Sequence, residues 1–238
     1  MLGESALAAR YTKGMTIHNL RPRTQFALSL LAASLASVLL FVYGAYRNHS
    51  WEFLYFIWNL FLAWLPLVFA GWLVTVLRRK LWSAWEPLTA SFLWLIFLPN
   101  SFYMVSDFIH LREVQRVDIL YDAVMFTSVI FVGVALGLSS LYLVHQQFKK
   151  RFAPVVSTSW LAGIFALCGF AIYLGRDLRW NSWDILTNPG GLLFDISDRI
   201  LHPSAYPQMF LTIFIFFILI STMYGLTFKA IQLIRQTT

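Results

Sequence analysis

The sequence predicts an all-α, polytopic membrane protein with about six transmembrane helices. Of its 238 residues, 59% are hydrophobic and only 12% are charged, whereas a soluble domain has roughly 25% charged residues. The aromatic share is 18%, with 10 Trp and 22 Phe, which is typical of membrane cores and of the aromatic belts at membrane interfaces. Together these observations exclude an ordinary soluble domain.

Six apolar segments are close in length to the roughly 20 residues that cross a hydrocarbon core. They are predicted at about 25–46, 52–77, 85–110, 118–145, 155–176 and 207–231. The first is too long, and starts too far from the N-terminus, to be a cleavable signal. We therefore expect a single transmembrane domain over 25–231, between an N-terminal segment 1–24 and a tail 232–238.

Lysine and arginine predict the orientation of these spans. Most of them fall on one side, namely Arg10, Lys13, Arg21, Arg23, Arg78, Arg79, Lys80, Lys149, Lys150, Arg151, Lys229 and Arg235. The positive-inside rule then makes this side, with both termini, cytoplasmic. Among the acids only Glu4 and Glu86 share it, so the acidic residues gather at the outer face. Because the basic clusters separate apolar segments, the net charge of +7 indicates membrane topology and not nucleic-acid binding.

The longest segment between spans is about 177–206, and it should carry a short amphipathic helix. Asn188, Pro189, Gly190 and Gly191 predict a turn. The following "LLFDISDRILH" places two kinds of side chain on opposite sides of a helix: Asp195, Asp198, Arg199 and His202 on one, and Leu193, Ile196, Ile200 and Leu201 on the other. We expect this helix to lie on the outer membrane surface.

Polar side chains recur at the outer end of the third span, in "LPNSFYMVSDFIHL". Asn100, Tyr103, Asp107 and His110 are spaced 3, 4 and 3 residues apart, which puts them within roughly an 80° arc of an α-helix. Pro99 removes a helical hydrogen bond and should kink the span beside them. The pattern predicts one polar helix face that reaches the outer interface.

The neighbouring spans should bring further polar groups to the same level. Asp122 lies about one turn inside the fourth span, where an ionisable side chain costs roughly 2.5–3.5 kcal/mol and usually faces a cavity or a partner. The segment after the fifth span adds a larger set, Arg176, Arg179, Trp180, Asn181, Trp183 and Asp184. We therefore predict an outward-facing polar pocket that binds a ligand through these residues and the polar face of the third span.

Two simpler interpretations of these residues stay open. The carboxylates of Asp107, Asp118 and Asp184 could form interfacial ion pairs with neighbouring arginines, and such exposed pairs are worth about 0–1 kcal/mol. The tryptophans Trp180 and Trp183 could be interfacial anchors rather than walls of a pocket. A divalent metal also stays open, because Asp107 and His110 are three residues apart and Asp122 could be a third ligand. The same three residues are the candidate catalytic groups.

The segments "FLPNSFYMVSDFIHL", "YDAVMF" and "GRDLRWNSWDILTNP" resemble an uncharacterised family of bacterial integral membrane proteins, classed only as a domain of unknown function. The resemblance extends from about the second span to the sixth. It implies a bacterial inner or plasma membrane location and names no reaction, substrate or cofactor. It also implies that the pocket residues named above match motifs of the family, apart from Arg176.

The predicted pocket admits three functions. The first is binding or transport of a small polar or ionic ligand. The second is a membrane-embedded enzyme, such as a metal-dependent hydrolase or transferase, that acts on a lipid or a lipid-linked substrate; Arg176 and Arg179 would then hold a phosphate or headgroup. The third is an accessory subunit of a membrane complex. Expected partners are membrane lipids and other membrane subunits, and whether the protein is an enzyme stays open.

Overall fold

The computed structural model describes residues 22–49, 51, 53–112 and 119–237, apart from the side chains of Arg23, Asn48, His110, Leu111 and Arg112. This part of the chain is helical and contains no strand. Its helices are α1 Pro22–Asn48, α2 Tyr55–Val76, α3 Trp85–Tyr103, α4 Ile119–Lys149, α5 Pro154–Asp177, α6 Asp184–Thr187, α7 Pro189–Leu201 and α8 Pro207–Thr237. A 3-10 helix, Met104–Arg112, continues α3.

Six helices are long and apolar enough to cross a membrane, and they are α1 to α5 and α8. They correspond to the six predicted segments, so the predicted all-α fold with six spans is confirmed. The fourth is longer than expected, because α4 continues to Lys149. The chain is thus a multi-pass membrane protein.

The spans form one bundle around α3 and α4. Helix α3 packs on α2, α4 and α5, whereas α1 packs on α4, and α8 packs mainly on α5. Of the apolar window of α4, 61% is buried, against 22% for α1, so α4 is central and α1 is peripheral. The core includes fully buried aromatic side chains at Phe56, Phe102 and Phe126.

Glycines allow the closest helix contacts of the bundle. A Cβ atom built on Gly137 of α4 would lie 2.8 Å from Ser101 Cβ and 2.9 Å from Phe102 Cζ, both on α3. On Gly169 of α5 it would lie 2.9 Å from the Cα atom of Ile213 on α8. Small residues at such crossings let backbones approach, which is how membrane helices gain van der Waals contact without a hydrophobic driving force.

The third span is not α-helical throughout. The α-helix ends at Tyr103 and the chain tightens into the 3-10 helix over Met104–Arg112. A 3-10 helix has three residues per turn and is common at α-helix ends, so the α-helical arc predicted for Asn100, Tyr103, Asp107 and His110 is wrong beyond Tyr103. The span itself, Trp85–Ile109, is present as predicted.

The segment between α5 and α8 folds back against the bundle. The predicted turn at 188–191 is instead the start of α7: Pro189 occupies its first turn, and Asn188 Oδ1 accepts a hydrogen bond of 3.1 Å from the Gly191 N–H group. This agrees with the preference for asparagine at the helix cap and for proline in the first turn.

Helix α7 is amphipathic, but its two sides are not divided as predicted. Arg199 is buried, and Ile196 packs with Leu192 against a small cluster that contains Tyr173 and Met209. The exposed apolar side chains are those of Leu193, Phe194, Ile200 and Leu201. Part of the predicted polar side therefore faces the protein, and an apolar side faces outward.

Candidate functional site

A cavity of about 750 Å³ lies where α2, α3 and α5 meet the segment that follows α5. Both α2 and α5 pack on α3, but within the described residues these two helices do not pack closely on each other. The cavity is therefore a groove with α3 as its floor and α2 and α5 as its sides. Residues 180–185 close one end, and Leu192 and Ile196 of α7 add to its wall.

The polar lining of the groove is concentrated at this closed end. Asn59 of α2 donates a hydrogen bond from Nδ2 to Asp107 Oδ2 at 3.3 Å. Asp107 is 3% exposed. Asn100 of α3 uses Nδ2 twice, donating to Ser182 Oγ at 3.0 Å and to the Phe97 carbonyl oxygen at 3.1 Å. These contacts connect α2, α3, the 3-10 helix and the segment after α5.

The rest of the groove is apolar and extends along the membrane-spanning part of α3. Its lining on α3 runs from Phe92 to Tyr103, about 16 Å at the helical rise of 1.5 Å per residue. Phe92 is 58% exposed and Leu167, on the opposite side of the groove, is 51% exposed. Because exposed side chains within a span face lipid, the groove opens sideways to the hydrocarbon core.

Three tryptophans enclose the polar end. The rings of Trp58 on α2 and Trp183 after α5 meet edge to face, with centroids 6.0 Å apart. Trp180 donates from Nε1 to Asp195 Oδ2 of α7 at 2.7 Å, which fixes its indole against the groove. Edge contacts of this kind are a preferred aromatic geometry, so the Trp58–Trp183 pair bridges the gap between α2 and the segment after α5.

Asp184 organises the segment that carries two of these tryptophans. Its Oδ2 accepts a hydrogen bond of 2.7 Å from the Asn181 backbone N–H group, and its Oδ1 accepts one of 3.0 Å from the Thr187 hydroxyl group. These bonds, the one from Asn181 first, hold the pKa of Asp184 below its ordinary value. The carboxylate thus joins the loop at Asn181 to Thr187 at the end of α6, and it is not part of the cavity lining.

Six of the predicted ligand-binding residues line the groove: Asn100, Tyr103, Asp107, Trp180, Asn181 and Trp183. Four other predicted residues are described but do not line the groove. Asp122 is buried at 1% exposure in α4, and Arg176 donates from Nη1 to the Ser106 carbonyl oxygen at 2.9 Å. Arg179 is exposed, with a positive φ of 61°, and Asp184 is bonded to Asn181 and Thr187.

Only part of the predicted metal set belongs to the described residues. Asp118 lies outside the described residues, and the side chain of His110 is not described either. Within the part of the chain that is described, no group of three His, Cys, Asp or Glu side chains could hold a metal ion. The proposed set of Asp107, His110 and Asp122 contains the undescribed imidazole and so stays a prediction.

Sequence reasoning missed four lining residues whose side chains carry a polar group, namely Tyr55, Trp58, Asn59 and Ser182. Asn59 carried a usable signal, because it is an amide within the apolar "FIWNLFL" of the second span, and polar residues inside spans usually face a partner or a cavity. Ser182 lies inside the "RWNSWD" motif. The apolar wall had no such signal, since any span contains leucine and phenylalanine.

Comparison with known proteins places the chain in a family. Neither the curated proteins nor the solved structures contain a match to it. A family model does match residues 58–223, which is more than half of the chain and runs from the second span to the sixth. The resemblance noted from the motifs is thereby confirmed, and the chain belongs to the family described as "Protein of unknown function (DUF1361)".

Proposed function

We propose that the protein binds an amphipathic molecule, a membrane lipid or a lipid-linked compound, in the groove between α2 and α5. The observation that carries the proposal is the form of the groove: it is apolar and open to the hydrocarbon core along α3, and polar where it ends at Asn59, Asn100 and Asp107. A molecule with an apolar chain and a polar headgroup matches both parts.

The size and lining of the groove support a ligand larger than an ion. Its volume of about 750 Å³ falls in the range of roughly 300–1,000 Å³ that is usual for small-molecule sites. A small polar solute would occupy the closed end and leave the stretch lined by Phe92, Leu95 and Leu167 to lipid. This favours an amphipathic ligand over the small polar or ionic ligand that leads the sequence-based hypotheses.

The affinity for such a ligand must come largely from the polar end. An acyl chain gains little by moving from the bilayer into an apolar groove, since lipid tails are as apolar as leucine side chains. Asn59, Asn100 and Ser182 are half-buried, so hydrogen bonds from them to a headgroup would offset part of the cost of removing that headgroup from water. The headgroup therefore sets selectivity, and the open side of the groove sets the route of entry.

Binding is a better-supported function than catalysis. The described lining residues hold one carboxylate, that of Asp107, and the side chain of His110, the other candidate catalytic group of this segment, is not among those described. General acid–base chemistry commonly needs a second titratable group within reach of the reacting atoms. We therefore propose that the protein recognises or transfers a lipid and does not act on it chemically.

The test is a variant that fills the groove. Ala171 lines it from α5, so Ala171→Trp should occupy the space of the ligand, and Gly163→Trp on the same helix is the matched control because a Cβ atom there meets open space. After purification and delipidation, native mass spectrometry should find a retained lipid on the wild-type protein and on Gly163→Trp, and little on Ala171→Trp. Equal retention by all three proteins would overturn the proposal.

We also propose that the groove's polar end faces the outside and that both termini are cytoplasmic. The opposite end carries Arg78, Arg79, Lys80, Lys149, Lys150 and Arg151, as the positive-inside rule expects of the cytoplasmic side. Native Cys168 is buried and should not react. In intact cells an impermeant maleimide should label Ser204→Cys but not Lys150→Cys, and the reverse pattern would refute this orientation.

A further inference from the structure

We infer that the groove takes its lipid from a single leaflet and holds it in the orientation that the lipid already has in the bilayer, so that the headgroup does not cross the membrane. This leaflet is the one at the closed end, which is the outer leaflet in the orientation proposed above. The inference rests on the proposed function, because it specifies the source and the pose of the ligand in the same groove. It follows from the depth of the groove, the level of its polar end and the surface beyond its other end.

The groove is about as deep as one leaflet. Within the described residues, its lining falls in 55–62 of α2 and 167–175 of α5, in each case in the half of the helix next to the closed end. On α3 the lining covers about 16 Å at 1.5 Å per residue, and half of a hydrocarbon core of about 30 Å is about 15 Å. The hydrocarbon chain of a lipid in one leaflet therefore matches the length of the groove.

The polar end lies where a lipid of that leaflet already carries its headgroup. Asn59 is about 6 Å from the start of its span at Tyr55, at the same rise per residue. The rings of Trp58 and Trp183 meet there, and tryptophan is enriched at the border between the hydrocarbon core and the headgroups. A lipid can thus place its headgroup beside Asn59 without moving far along the membrane normal.

Helix α7 marks the same level of the membrane. It contributes Leu192 and Ile196 to the wall of the groove. Its remaining apolar side chains are exposed, namely those of Leu193, Phe194, Ile200 and Leu201. An amphipathic helix with such an apolar side lies in the plane of the interface, so the wall that α7 forms stands beside the headgroups of one leaflet.

The surface beyond the other end of the groove is apolar. Past Phe92, the same face of α3 continues with Leu88 and Trp85, which follow at intervals of four and three residues. Both side chains are exposed within the span and so face lipid, and the nearby Thr89 hydroxyl group donates to the Trp85 carbonyl oxygen at 2.8 Å. A headgroup drawn along this face would exchange its partners at the closed end for hydrocarbon, which is strongly unfavourable.

Entry and exit of the lipid are therefore lateral. The exposed side chains of Phe92 and Leu167 border the open side of the groove, through which a chain can move in from the neighbouring lipid while its headgroup stays at the interface. The groove thus suits the selection or presentation of a lipid within its own leaflet, and not transport across the membrane.

The test determines the pose of the lipid that the protein binds in its own membrane, whatever the headgroup. Benzoylphenylalanine, which bonds covalently to a nearby C–H group on illumination, replaces Ile185 at the closed end or Leu167 at the mid-membrane end. Mass spectrometry of the illuminated protein then identifies the attached lipid and the part of it that is attached. We expect attachment to the headgroup or glycerol from position 185 and to the end of a chain from position 167.

Position 218 on α8 is the matched control. Ile218 is exposed and lies outside the groove, about 16 Å along α8 from Pro207, whereas Leu167 is about 15 Å along α5 from Asp177. Benzoylphenylalanine at position 218 should capture the mixed lipids of the membrane, whereas at position 167 it should capture a restricted set.

The outcomes separate this inference from the proposed function. Attachment of a headgroup at position 167 would mean that the lipid is bound in the opposite orientation, which overturns the inference while lipid binding stands. If positions 167 and 218 capture the same lipids in the same proportions, and Ala171→Trp does not alter the capture at position 167, the groove selects no lipid. The proposed function then fails, and the inference fails with it.

A second assay tests passage across the membrane. The protein is reconstituted into liposomes that contain phosphatidylcholine and phosphatidylethanolamine with a nitrobenzoxadiazole fluorophore on one chain, and dithionite is added to bleach the outer leaflet. We expect the same loss of fluorescence from liposomes with the wild-type protein, with Ala171→Trp and without protein. A larger loss with the wild-type protein that Ala171→Trp abolishes would show that headgroups cross through the groove, and it would overturn the inference.

Discussion

Helix α3 has one side against α4 and another against the groove, and the two sides differ in how closely their neighbours approach. Toward α4, an added Cβ atom on Gly137 would lie within 2.9 Å of both Ser101 and Phe102. Toward the groove, Phe92 is more exposed than buried, and Asn100 and Tyr103 line a cavity. The same helix thus has a tightly packed contact with α4, here called the seam and formed by Ser101, Phe102 and Gly137, and an open site on its other side.

Adjacent residues on α3 show what this difference means for polar groups. Ser101 is fully buried, and its hydroxyl group donates to the Ala63 carbonyl oxygen at 3.3 Å. Asn100 is half-buried and lines the cavity, where its amide oxygen can meet a ligand. A polar residue in a span is therefore not by itself evidence of a site: on the packed side it is bonded within the protein, and on the groove side it can serve recognition.

The largest expected effect is on the packed side of α3. Gly137→Leu would place a branched side chain where even a Cβ atom is too close to Ser101 and Phe102. Overpacking of this kind costs typically about 1–3 kcal/mol, and sometimes more, so we expect a marked loss of stability in detergent thermal-unfolding assays. Gly163→Leu, which meets open space on α5, is the control. Equal melting temperatures for both variants would show that the seam is not close-packed.

The contrast between the sides of α3 also explains which features the sequence could predict. The spans follow from apolar length alone, so all six could be predicted. The closed end of the groove could be predicted in part, because Asn100, Tyr103 and Asp107 are polar residues in an apolar segment. The open side could not, because Phe92 and Leu167 are typical of any lipid-facing surface, and only the spacing of α2 and α5 turns them into a groove.

The positions of the charged residues were the weakest part of the prediction. Asp107 lines the groove, whereas Asp122, Arg176 and Asp184 do not. Sequence gives the level of a residue along the membrane normal, whereas the direction of its side chain depends on helix rotation and on nearby acceptors. The Ser106 carbonyl oxygen, which accepts from Arg176, is such an acceptor and has no sequence signal.

A smaller effect is expected on the groove side, where α7 forms part of the wall. Arg199 links α7 to the segment before α8: its Nη1 donates within the helix to Asp195, at 2.8 Å and 3.1 Å, and its guanidinium group lies 4.7 Å from the ring centroid of Tyr206, outside the helix. A cation–π contact such as that with Tyr206 contributes roughly 0.5–2 kcal/mol. Arg199→Leu should therefore speed hydrogen exchange of 189–201 while melting of the bundle changes little.

The control for this variant is Arg79→Leu, which removes an exposed arginine at the opposite end of the bundle. It should leave the exchange of α7 unchanged. If Arg199→Leu also leaves that exchange unchanged, Arg199 does not hold α7 in place. If it lowers the melting temperature as much as Gly137→Leu, the difference in packing between the two regions would be refuted.

The smallest effect is a dependence of the contact between α7 and Tyr206 on pH. Asp198 accepts hydrogen bonds from the Tyr206 hydroxyl group and from His202 Nδ1, the latter at 3.0 Å. These bonds, that from Tyr206 first, hold the pKa of Asp198 below its ordinary value, and the same bond raises the pKa of Tyr206. Because the pKa of Asp198 is lowered, its ionised carboxylate stabilises the folded state at pH values above the unfolded-state pKa of about 3.9. This stabilisation is lost only as the pH falls through the lower, folded-state pKa.

The raised pKa of Tyr206 acts in the opposite direction. Its contribution is complete below the unfolded-state pKa of about 10 and is lost as the pH rises through the folded-state value. NMR of carbon-labelled tyrosine should therefore show Tyr206 unchanged across neutral pH, with transitions at both extremes. Asp198→Asn should abolish the acid transition, because an amide does not titrate in this range. An acid transition at the ordinary carboxyl pKa in the wild-type protein would mean that Asp198 and Tyr206 are not bonded, and that α7 closes the groove without this contact.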